Sequence, residues 1–177
     1  MTQPDWHPFD PETFIWDGIV PREYKFHQGE EVGWGWKDVT RFTLTDYPPG
    51  YEGAAFEMRY FEIGPGGYSS LEKHQHVHAI LVLRGRGKII RGGEVLEAKP
   101  FDFLFIPGGT PHQFVNTGEE EPFGFICVVD RERDRPQVLS EEELARLQAD
   151  PKTGPVLRLG PADKGSKPGS GPAAQQG

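Results

Sequence analysis

Residues 72–78 read Glu-Lys-His-Gln-His-Val-His, so His74, His76 and His78 occupy alternate positions of one short stretch. The chain has 6 histidines in 177 residues, and half of them fall here. On an extended strand, side chains two apart share a face. Imidazoles crowded on one face repel one another when protonated and need partners when neutral, so burying them without a purpose is costly. A metal ion removes that cost, because neutral imidazole is a preferred ligand of Zn, Fe, Cu and Ni. Metal binding is therefore the chemistry this stretch points to. His112 supports it: it lies in Pro-Gly-Gly-Thr-Pro-His-Gln-Phe-Val-Asn, behind an apolar run and a Pro-Gly turn, where a return strand faces the first cluster. Lys73 and Gln75 alternate with the histidines and should face the other way.

The elements that must position these residues are short and β-like. The chain carries 23 Gly and 17 Pro, which punctuate it every few positions and suit strands joined by tight turns. Strand-like runs are expected at 39–44, 55–63, 80–83, 88–91, 94–97, 101–106, 113–116 and 123–129. The second of these stops at Gly64-Pro65-Gly66-Gly67. Gly92-Gly93 reads as a two-residue hairpin turn. Runs at this spacing predict a sandwich or barrel over 31–135. Residues 1–30 are rich in aromatics (Trp6, Phe9, Phe14, Trp16, Tyr24, Phe26) and are expected to form an arm packing on the domain or on a second subunit. Ser140 followed by Glu141, Glu142 and Glu143 predicts an N-capped short helix to about 148, within an extension spanning 136–159. Residues 160–177 hold no large apolar side chain and are expected to be a disordered tail.

Composition excludes several function classes. There are 27 acidic against 19 basic residues, a net charge of −8, and no Lys/Arg block of the kind phosphate backbones need. Nucleic acid is not an expected partner. No apolar run approaches the ~20 residues of a membrane helix, and the N-terminus has neither a basic nor an apolar segment of a signal peptide. The single cysteine, Cys127, excludes an intramolecular disulfide framework and reads as a buried small hydrophobe. A cytoplasmic domain is expected.

Two segments resemble the motifs of the cupins. The family's second motif, G-(x)5-P-x-G-(x)2-H-(x)3-N, matches Pro107, Gly109, His112 and Asn116, with Phe101 where the first Gly would be. Its first motif, G-(x)5-H-x-H-(x)3,4-E-(x)6-G, matches in spacing from Gly66 to Gly85. Glu72 stands at the first His position, His74 at the second, and His78 where Glu is usual. The resemblance covers roughly residues 55–129. It implies an all-β double-stranded β-helix, a jelly-roll barrel, with an N-terminal arm and a C-terminal helix outside it. It also implies a metal held by Glu72, His74, His78 and His112, and pairing of subunits into a homodimer.

On a straight strand, positions 72 and 78 would stand ~20 Å apart, so they share an ion only if the chain bends around 75–77. A rival set of His74, His76 and His112 leaves out Glu72 or His78. In the first set His76 remains free for proton transfer as a catalytic residue. The ion is one divalent transition metal among Fe, Ni, Mn, Cu and Zn. Four protein ligands leave open positions on a five- or six-coordinate ion, which chemistry on a small-molecule substrate requires. Arg59, Tyr60, Tyr68 and Phe114 are candidate substrate-binding residues, and Phe103, Phe105, Phe114 and Phe125 candidate lining. By analogy with the family alone, a dioxygenase-type oxidoreductase is the first expectation. An isomerase or lyase on a sugar or keto acid, or a non-catalytic binding module, are the alternatives.

Overall fold

The alternating runs between Gly- and Pro-rich turns become antiparallel strands that curl into one sheet. The computed structural model describes residues 6–24, 35–45 and 54–160. Its elements are β1 (Phe9–Asp10), β2 (Ile15–Trp16), β3 (Pro21–Glu23), β4 (Lys37–Thr43), β5 (Phe56–Tyr68), β6 (His78–Arg84), β7 (Gly87–Arg91), β8 (Glu94–Ala98), β9 (Phe103–Ile106), β10 (His112–Val115), β11 (Phe123–Asp130) and α1 (Glu141–Ala149). The main sheet runs β8-β7-β10-β5-β11-β6-β9, with β4 added to β5 and β3 to β4. This is the expected all-β jelly-roll. Phe26 of the expected arm and the tail beyond Gly160 lie outside the described residues.

β5 joins the two halves of the barrel. Residues from Phe56 to Ile63 pair with β11, while Tyr68 reaches Val115 of β10. The strand does not stop at Gly64-Pro65-Gly66-Gly67 as its composition predicts. Instead the glycines let β4 come close: a Cβ on Gly67 would lie 2.6 Å from the Lys37 carbonyl oxygen, and the β4–β5 register shifts there.

Inside the curl, Phe61, Ile63, Ile80, Val82, Phe114 and Phe125 belong to one apolar cluster. Each such buried side chain contributes about 1.5–3 kcal/mol. Phe103 and Phe105 are not part of this lining. They are 68% and 46% exposed, because alternation along β9 turns Leu104 and Ile106 inward instead.

The described part of the arm, residues 6–24, carries three short strands. β1 and β2 pair with each other, β3 pairs with β4, and Phe14 and Trp16 pack on Tyr60 of the same chain. At the other end, the Ser140 side chain caps α1 and Glu143 reciprocates.

Phe101, at the position the family motif gives to glycine, has φ of +72° and a ring 81% exposed. A side chain in this left-handed region costs roughly 1–2 kcal/mol, and the exposed ring recovers little of it. Phe101→Gly is therefore expected to raise the melting temperature by a few degrees. A lower melting temperature would show that the ring has a packing role.

Candidate metal centre

The two histidine segments meet because backbone hydrogen bonds tie them together. His112 N donates to the Glu72 carbonyl and Glu72 N donates to that of His112, at 2.9 and 3.2 Å. Gly109 N donates to the His74 carbonyl at 2.6 Å. A Cβ on Gly108 would sit 2.1 Å from the Gln75 carbonyl oxygen, so this turn must be bare to press against the loop. Between Glu72 and His78 the chain leaves extended geometry, which allows both ends of the segment to face one point.

Five side chains gather here in two overlapping groups. Ligand atoms of Glu72, His74 and His112 lie within 4.8 Å of one another, and so do those of His74, His76 and His78. His74 is common to both groups. Relative exposures of Glu72, His74, His78 and His112 are 8%, 3%, 8% and 3%.

Hydrogen bonds set the tautomers. His74 Nδ1 lies 2.8 Å from the His76 carbonyl oxygen and His112 Nδ1 lies 3.0 Å from that of Thr110. A carbonyl only accepts, so each Nδ1 carries the proton and each Nε2 presents a lone pair. Burial, with His112 and His76 nearby, pushes His74 down to about 4, and burial, with His112, His74 and Arg59 nearby, holds His78 well below the ordinary imidazole range. His74 and His78 are therefore neutral donors at pH 7.

Nε2 of His78 lies only 2.8 Å from Nε2 of His74. Two ligands at right angles with bonds of about 2.1 Å would stand about 3 Å apart, so the same spacing fits an ion. The donor set matches a divalent transition metal: three imidazole lone pairs and a carboxylate whose Oε2 is held by Ser70 Oγ at 2.6 Å.

His76 stands differently. Its ring lies parallel to that of His74, with centroids 3.5 Å apart and an angle of 4°. Imidazole lone pairs lie in the ring plane, so those of two stacked rings run side by side and do not converge. His74 and His112 instead meet at 73°. His76 Nδ1 is bound to Asp134 Oδ1 at 2.7 Å, and Asp134 also accepts from the backbone N–H of Gln75 and of His76. Burial would raise the Asp134 pKa, but these hydrogen bonds outweigh it and hold the carboxyl well below the usual range.

Residues 59–129 match the family model described as Cupin domain. The 1-methylthio-D-xylulose 5-phosphate methylsulfurylase of Rhodospirillum rubrum is 41% identical over 148 residues, spanning 82% of this chain and 89% of that protein. The chain belongs to the cupins.

Solved cupins resemble it closely in shape. A cupin-2 domain from Rhodospirillum rubrum is 39% identical with a TM-score of 0.67, covering 82% of this chain and 91% of that one. A cupin 2 conserved barrel domain protein from Rhodopseudomonas palustris is 38% identical with a TM-score of 0.68, covering 82% and 93%.

Of the residues singled out in the sequence, this cupin places Phe114 near the cluster, its ring centroid 6.2 Å from that of His112. Arg59 also lies on this side. Its Nη2 is 4.0 Å from Cys127 Sγ, which is 3.0 Å from His78 Nδ1. Tyr60 and Tyr68 lie elsewhere. Tyr60 packs on Phe42 and the arm and donates to Glu62, and Tyr68 joins an apolar cluster with Ile90 and Val115. Among the described residues, no helix is long and apolar enough to cross a membrane.

Sequence reasoning missed two residues. Cys127 reads as plain core, and its place beside His78 follows only from the pairing of β11 with β6. Asp134 sits in the charged run Asp-Arg-Glu-Arg-Asp-Arg, where nothing separates it from a solvated face.

Lys73 points away from the cluster, as alternation predicts, and its Nζ lies 2.5 Å from Glu143 Oε1 on α1. The lysine, with the Ser140 cap, lowers Glu143 from 4.5 to about 2. The contact therefore contributes fully above pH 4.5 and is lost as pH falls towards 2. Glu143→Gln should lower the melting temperature at pH 7 and lose that effect near pH 2. An equal effect at both pH values would assign it to packing.

Proposed function

We propose that this cupin is a metal-dependent enzyme that removes a methylthio group from a small phosphorylated keto sugar. Glu72, His74, His78 and His112 are the proposed ligands. The observation that carries the reading is that ligand atoms of Glu72, His74 and His112 lie within 4.8 Å of one another, in a chain 41% identical to a methylsulfurylase of 1-methylthio-D-xylulose 5-phosphate. A dioxygenase gains no comparable support.

In a 1-methylthio-2-ketose, the carbon that bears sulfur adjoins the carbonyl. A thiol co-substrate that attacks this sulfur therefore forms a mixed disulfide with the methylthio group, and the C–S bond breaks to leave an enolate that is protonated at carbon. When bound, the ion would supply Lewis-acid stabilisation of negative charge on the carbonyl oxygen. The protein supplies the rest. Asp134 fixes the His76 proton on Nδ1, so Nε2 is the atom that takes or gives a proton at the neighbouring carbon. Phe114 and Phe125, stacked with centroids 4.4 Å apart, form an apolar wall that excludes water.

The test is metal analysis of protein purified without added metal, then incubation with 1-methylthio-D-xylulose 5-phosphate in buffer containing a thiol. Stoichiometric metal and metal-dependent loss of the methylthio group are expected. Metal-independent turnover overturns the role of the ion. Oxygen uptake with keto acids, without methylthio loss, restores the dioxygenase.

A further inference from the structure

Charge inside the barrel is unbalanced next to the histidines. β4 turns Val39, Arg41 and Thr43 to one face, and Val39 belongs to the core cluster, so Arg41 shares the interior face. Arg22 of β3 pairs in register with Arg41, and Thr43 with Arg59 of β5. Arg59 is 8% exposed and lies one sulfur atom away from His78.

Glu57, the acid paired with Arg59, is already engaged. Glu57 receives both terminal nitrogens of Arg133, at 3.2 and 3.3 Å. It lies 3.4 Å from Arg59 Nε without the geometry of a hydrogen bond. Nε of Arg41 and Nε of Arg59 are both buried and make no hydrogen bond among the described residues. Burial disfavours the charge of Arg41, and Arg59 adds repulsion. The two guanidinium groups thus share one carboxylate that Arg133 already occupies, and an anion from outside the chain would find free donors here.

We propose that Arg41 and Arg59, with Arg22 at the outer edge, form a subsite for a phosphate monoester within the barrel. This assignment deepens the functional reading given above and rests on it for the identity of the substrate. A phosphate monoester carries about −1.5 to −2 charge at pH 7 and three acceptor oxygens, which suits two forked donors. Bound there, the phosphate fixes the far end of a short sugar while its carbonyl end lies towards His78 and His74. Arg41 and Arg59 are thus specificity-determining residues that act on the substrate rather than on the ion.

The subsite is tested by titration calorimetry at constant ionic strength on the full chain, with xylulose 5-phosphate, xylulose and inorganic phosphate as probes. Xylulose 5-phosphate is expected to bind at least tenfold more tightly than xylulose, and inorganic phosphate to compete with it. Arg41→Gln and Arg59→Met should each weaken the phosphorylated probe at least tenfold, whereas Arg41→Lys, which keeps the charge, recovers part of the loss. His74→Ala, which removes a proposed ligand, should leave inorganic phosphate binding within about twofold. Circular dichroism of each variant separates lost binding from lost folding. The proposal is overturned if wild-type protein binds xylulose and its phosphate equally, or if folded Arg41→Gln and Arg59→Met bind the phosphate as wild type does. Absence of methylthio removal with arginine-dependent phosphate binding intact would sink the enzymatic reading and leave the subsite standing.

Discussion

Replacing His74 or His112 with alanine is expected to abolish stoichiometric metal binding and to reduce turnover at least a thousandfold. His74 belongs to both groups of converging ligand atoms, so its loss dissolves the centre from either side. His112 is the contribution of the second strand segment, and its Nδ1 is already committed to Thr110, leaving Nε2 aimed inward. The replacements remove donors from a largely preformed site, so far-ultraviolet circular dichroism should change little while metal content falls to background. His76→Ala and His78→Ala discriminate between the ligand sets. Because the His76 ring lies face to face on His74 with centroids 3.5 Å apart, while His78 sets its Nε2 2.8 Å from that of His74, His76→Ala should retain metal and lose activity, whereas His78→Ala should lose both. The reverse result would place His76 on the ion and His78 outside it.

Asp134→Ala should weaken metal binding by about 10–100-fold, the usual cost of losing a residue that orients a site from behind, and should slow turnover further through His76. One carboxylate receives two backbone N–H groups and one imidazole from the loop between the outer ligands. Its removal leaves those donors without their acceptor and lets the loop relax away from the stacked arrangement. Competition with a chelator measures the first effect. Asp134→Asn separates the two roles, since its one amide oxygen still accepts from the His76 backbone N–H, while the Gln75 N–H loses its acceptor and the negative charge facing the His76 ring is gone. Metal binding should then recover while activity stays low. Equal metal affinity in all three proteins would show that the loop holds its shape without this contact.

Much of this was legible in the sequence. Alternation and turn chemistry gave strand positions within a few residues, because half-buried antiparallel strands write their period directly into the chain. Gly92-Gly93 does form the two-residue turn between Arg91 and Glu94, and Ser140 does cap a helix. The same local logic failed at residues 64–67, where the glycines serve close approach between strands rather than termination. It also failed at Phe103 and Phe105, since a short apolar strand does not declare which of its faces is inward. At the centre, the imidazoles were visible because histidines are few and clustered here. Asp134 and Arg41 were not, because a carboxylate or guanidinium in a charged chain acquires meaning only from what the fold sets against it.

The family match ends at residue 129, yet Asp134 grips the loop, Gln137 exchanges backbone hydrogen bonds with Lys73, and Glu143 holds the same lysine. Gln113, next to His112, is likewise fastened to Arg158. A boundary drawn by homology would thus cut through working parts. Anyone trimming this barrel to its shared scaffold, or transplanting its ligands into another one, has to carry the trailing thirty residues along as if they were a second wall of the same vessel.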